Sequence, residues 1–107
     1  MSTSLPRGNI LKMYAVQVVF DAAAVATITT AEQDITVNGV EANDIVIAVN
    51  KPSLTAGVGI VNARVKSANT VSLQYVNPTV ASVNPASETY TIVLARPELP
   101  LGSVMKA

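Results

Sequence analysis

The sequence predicts an all-β fold: a small β-sandwich or jelly-roll-like domain of about seven strands with extended N- and C-terminal arms. Three observations predict it. Val, Ile and Thr dominate the middle of the chain, and their branched Cβ atoms favour extended backbone over helix. Short runs with apolar residues at every second position recur between clusters of Asn, Gly, Pro and Ser, the residues that turn a chain. Finally, no segment sustains helical apolar spacing, because the one helix-prone run, Ala22 to Ala26, passes directly into Thr-rich sequence.

The elements follow in order. Residues 1–12 mix Ser, Pro, Gly and Asn with Arg7 and Lys12 and read as an arm. Tyr14, Val16, Val18 and Phe20 then fall on one face of a first strand. Ala24 to Thr29 is a second candidate, and Gln33 to Val37 a third that runs into Asn38-Gly39, a dipeptide favoured in hairpin or other tight turns. Ile45 to Val49 reads as a buried strand, closed at Asn50-Lys51-Pro52. After the Gly57-Val58-Gly59 turn, Ile60 to Lys66 sets Val61, Ala63 and Val65 inward and Asn62, Arg64 and Lys66 outward. Thr70 to Val76 turns Val71, Leu73 and Tyr75 inward, and Thr89 to Ala95 turns Tyr90, Ile92 and Leu94 inward. Residues 97–107 are apolar but broken by Pro and Gly, hence a tail. The organisation is an arm over 1–12, one domain over 13–96 and a tail over 97–107, since 107 residues suffice for a single core.

Composition excludes much chemistry. Half the residues are apolar and 13% charged, too hydrophobic a balance for disorder. Without Cys or His the chain lacks thiolate and imidazole metal ligands, Cys nucleophiles and His-based triads, so no enzyme activity and no cofactor are expected. Seven bases offset seven acids, which is not the footprint of a nucleic-acid binder. No apolar run approaches the roughly 20 residues of a membrane span, and residues 1–8 do not resemble a secretory leader.

The motifs left over are weak. The acids are expected in or beside turns, as solvated or capping groups. Glu32 with Asp34, or Glu41 with Asp44, lack the spacing of a known calcium loop. Gly57-Val58-Gly59 lacks the Lys and the helix of a phosphate loop, and Pro78 spoils Asn77-Pro78-Thr79 as a glycan acceptor. Tyr14, Tyr75 and Tyr90 sit at period-two positions that suit packing better than a sugar-stacking platform. Residues 13–50 hold five acids and no base, whereas 51–67 hold Lys51, Arg64 and Lys66 and no acid. Chance at low charge density accounts for this; faces of unlike sign are the sharper alternative.

The stretch Asn50-Lys51-Pro52-Ser53 through Thr55 to Val65, with Asn69-Thr70-Val71, Tyr75-Val76-Asn77-Pro78-Thr79 and Glu88 to Ile92, resembles the capsid decoration, or cement, proteins of tailed bacteriophages. The resemblance covers the second half of the chain. It implies a structural virion protein, made in the host cytoplasm, that binds the outside of an assembled head and bridges neighbouring major capsid protein subunits and neighbouring copies of itself. A carbohydrate-binding or adhesion module on a fibre or cell surface is the alternative. The apolar and basic residues of the end segments are the expected contacts with a neighbouring subunit: Leu5, Arg7, Ile10 and Leu11 at one end, Leu99, Leu101, Val104 and Met105 at the other; the alternative is that the ends fold back over the sandwich to complete its core.

Overall fold

β1 (Ile10–Phe20) carries Tyr14, Val16, Val18 and Phe20 on one side, as its spacing predicts, and all four pack against the core. In the computed structural model, which describes residues 9–98, this strand is the first of six. It is followed by β2 (Thr29–Thr36), β3 (Ile45–Asn50), β4 (Gly59–Ser67), β5 (Thr70–Asn77) and β6 (Glu88–Pro97), with no helix among the described residues. They form two antiparallel sheets of three strands, ordered β1-β6-β3 and β2-β5-β4. The sheets share one core, to which β2 and β5 contribute Ile35, Val71, Leu73 and Tyr75, and β6 contributes Tyr90, Ile92 and Leu94. The fold is sandwich-like.

Alternation explains this core. In β5 and β6 every second side chain is fully buried, and each such side chain contributes about 1.5–3 kcal/mol on leaving water. Two tyrosines at the centre need a polar partner, and their hydroxyls supply it to each other, Tyr75 and Tyr90 lying 2.9 Å apart. The Phe20 ring meets Tyr90 edge to face with centroids 5.9 Å apart.

Several boundaries differ from the sequence reading. The second and third expected strands become one: residues 24–28 are irregular apart from a bridge between Val25 and Val83, and β2 starts at Thr29. Ala22 and Val25 are buried all the same, and Ile28 has positive φ, which a ladder cannot continue. Glu32 and Asp34 therefore sit in mid-strand rather than beside a turn. At Asn38-Gly39 only Gly39 has positive φ, and the bond from Val40 N to Val37 O makes a tight turn leading from one sheet to the other. No hairpin forms there. The hairpin is β4-β5, turning at Asn69 with φ of 63°.

Bulges account for the misassigned faces. Between Ile60 and Asn62 the β4 register slips against β5, so Ile60 takes the core-facing place and Val61, expected inside, is 57% exposed. Ala63 and Val65 return to the core side and are half-buried. A second slip, between Val46 and Ala48, leaves Ile47 out of register in β3. That strand was expected to be buried; it is an edge, with Val46 and Val49 inward and Ile45, Ile47 and Ala48 exposed. At the start of β1, Ile10, Leu11 and Lys12 are strand rather than arm: Ile10 pairs with Pro97 and Lys12 with Arg96. β6 correspondingly runs to Pro97, and Glu98 N donates to Asn9 O at 2.8 Å.

Candidate docking face

The outer sides of the two sheets differ in chemistry. On β2-β5-β4 two cross-strand rows, Glu32–Gln74–Asn62 and Asp34–Ser72–Arg64, are polar in every member, and a third, Thr30–Val76–Gly59, is uncharged. Arg64 donates to both oxygens of Glu32, through Nε at 2.7 Å and Nη2 at 2.8 Å, and Lys66 Nζ donates to Asp34 at 3.0 Å. Ser72 donates to Asp34 from beneath. The Arg64 contact holds the Glu32 carboxyl below its ordinary range, and the Ser72 hydroxyl followed by Lys66 does the same for Asp34. The acids of the first half of the sequence thus meet the bases of the second across one surface, so separate faces of unlike sign do not form.

On β1-β6-β3 the equivalent rows are Met13–Ala95–Ile45 and Ala15–Val93–Ala48, and only the third, Gln17–Thr91–Asn50, is polar. Met13 is 61% exposed and Ile45 51%, and Ala95 lies buried between them. Exposed Leu11 and Ile47 stand at the bulges of the two flanking strands. Large side chains on β1 and β3 therefore flank a trough of small ones on and beside β6. No side chain of these rows carries a charge. The apolar residues of three strands thus adjoin one another on this face rather than standing singly.

Behind this face an ionic cluster fixes the sheet to the connection between β2 and β3. Asp44 is buried at the start of β3, where it accepts the Tyr14 hydroxyl, the Glu41 amide at 3.0 Å, and Arg96 Nε and Nη2, each at 2.9 Å. Arg96 also donates to Gly39 O at 3.0 Å and pairs with Glu41 at 3.1 Å. Burial alone would raise the Asp44 carboxyl, but the Arg96, Tyr14 and Glu41 hydrogen bonds and the guanidinium charge outweigh it and hold it at about 2. Both of its oxygens are engaged, so the cluster serves as a brace rather than as an acid–base pair. Lys51 pairs with Glu88 at 2.8 Å at the opposite end of the sheet.

Of the contact residues expected from sequence, Ile10 and Leu11 lie in β1 at the corner of the apolar face, 46% and 64% exposed. Leu5, Arg7, Leu99, Leu101, Val104 and Met105 fall outside the described residues. Sequence reasoning missed Met13, Ala15, Ile45 and Ile47. The signal was present in Met13 to Phe20, where Gln17 is the only polar residue and the face opposite Tyr14 is also largely apolar. A strand apolar on both faces is covered on both, within the domain or by a partner.

Comparison of the chain with protein-family models, with curated proteins and with solved structures returns no match.

Proposed function

We propose that this chain is a non-enzymatic structural module that attaches to a protein partner through the outer face of the β1-β6-β3 sheet. Its setting is the exterior of a phage head, where it cements neighbouring major capsid protein subunits. The observation that carries the reading is the uncharged face formed by Met13, Ala15, Val93, Ala95 and Ile45, set against an opposite face that is polar and ion-paired. A domain bound at a shell exterior needs one surface that tolerates desolvation and another that tolerates water. The phage setting rests on the sequence resemblance.

The carbohydrate-binding alternative loses its main support in this fold. Tyr75 and Tyr90 are fully buried, and Tyr14 and Phe20 pack against the core, so these four rings do not make an open stacking platform. Co-sedimentation of the purified chain with shells of the major capsid protein encoded alongside it tests the proposal. Saturable binding at a fixed number of copies per shell is expected. Failure to bind shells, together with saturable binding on a glycan array, would overturn it.

A further inference from the structure

Each sheet has two edge strands, and an edge offers unpaired backbone amides and carbonyls to any strand that approaches. Proteins commonly blunt such edges with charge. Here β1 carries Lys12, β2 carries Glu32 and Asp34, and β4 carries Arg64 and Lys66. β3, with the sequence Ile45-Val46-Ile47-Ala48-Val49-Asn50, carries none. It bonds only to β6 among the described residues, so its other side lacks a ladder partner.

The surroundings of that free edge fit an added strand. β3 and β4 lie side by side but belong to different sheets. Between them is an open groove of about 330 Å³, lined by residues 46–49 and 60–63, all uncharged. Ile47 and Val61, the residues displaced by the two bulges, stand exposed in this lining, 53% and 57% respectively. A strand bonded to the free edge of β3 would place alternate side chains in the groove and cover both of these residues.

We propose that the free edge of β3 pairs antiparallel with β3 of a second copy about a two-fold axis, joining two β1-β6-β3 sheets into one of six strands. Two observations favour a second copy over a foreign segment. The occupant must be short, extended and free of charge, and β3 itself has that composition. Antiparallel pairing of identical strands is self-complementary, so one patch serves both copies, as a two-fold interface requires. Edge pairing would also double the uncharged outer face and keep it continuous through Ile45 and Ile47, a gain that rests on the docking reading.

Sedimentation equilibrium of the full chain, up to about 1 mM, with hydrogen exchange at low and high concentration, tests this. A monomer–dimer equilibrium is expected, with amides of residues 46–49 gaining protection as the dimer forms. Ile47→Lys, at an exposed bulge position, should weaken dimerisation at least about tenfold while Ile47→Val retains it. A chain monomeric throughout the range overturns the inference, as does a dimer in which residues 46–49 gain no protection. That exchange measurement uses the wild type and so decides the matter even if Ile47→Lys does not fold. A monomer that still binds shells would sink edge pairing alone; an edge-paired dimer that ignores shells would sink the docking proposal alone.

Discussion

The outer faces of the two sheets cover the same core, yet one is polar and ion-paired and the other uncharged across two full cross-strand rows. The difference cannot come from folding requirements, because the inner sides of both sheets already supply the buried apolar surface. Nor does it reflect a shortage of charge, since Arg64 and Lys66 are placed where they meet Glu32 and Asp34. Surface ion pairs of this kind contribute about 0–1 kcal/mol each, so what the polar face gains is chiefly solubility. The apolar face forgoes that gain, and on the proposed reading it is the docking surface.

The largest expected effects lie beneath both faces. Leu73→Ala in one sheet and Ile92→Ala in the other, both fully buried, should each cost about 2–5 kcal/mol in chemical unfolding. Losses well under about 1 kcal/mol at both would show that the two faces do not share a core.

The ionic brace behind the apolar face should respond to acid. The Asp44 carboxyl is held at about 2 against 3.8 when unperturbed, so its stabilisation is complete above the ordinary carboxylate range and is lost as pH falls from near 4 through about 2. Roughly 1–2 kcal/mol should disappear over that window, and Asp44→Asn should remove this part of the pH dependence. An unchanged acid limb in Asp44→Asn would mean that other carboxylates govern it. On the polar face Arg64→Ala should cost less than Asp44→Asn, and adding salt should shrink its effect further.

Much of this was legible in the sequence, and what was not has particular causes. The inward sides of β1, β5 and β6 follow from period-two spacing because these strands keep register over their central residues. Val61 was misread because the bulge gives Ile60 the core-facing place and leaves Val61 outside, and no residue type in Ile60-Val61-Asn62 announces it; the slip beside Ile47 in β3 is equally silent. The segment 24–28 has strand composition, but its buried Val25 is held by Val83 and by Asn77 Nδ2 at 2.9 Å, partners more than fifty residues away. β3 looked buried because strand order is a long-range property, and an apolar run reads alike at the centre and at an edge. The Asp44–Arg96 brace, 52 residues apart in sequence, was equally out of reach. The apolar outer face was half visible in β1 and invisible in β3 for the same reason.

The smallest expected effect on stability accompanies the largest on binding. Met13→Glu on the apolar face and Gln74→Glu on the polar face each add one negative charge at a surface position of a strand, and both should change unfolding by no more than about 0.5 kcal/mol. Their affinities for major capsid protein shells, measured side by side, show whether docking goes through the apolar face. Gln74→Glu should bind like the wild type and Met13→Glu at least about tenfold more weakly, because the added carboxylate must be desolvated at the contact. Equal binding by both variants, or a loss confined to Gln74→Glu, would contradict docking through that face.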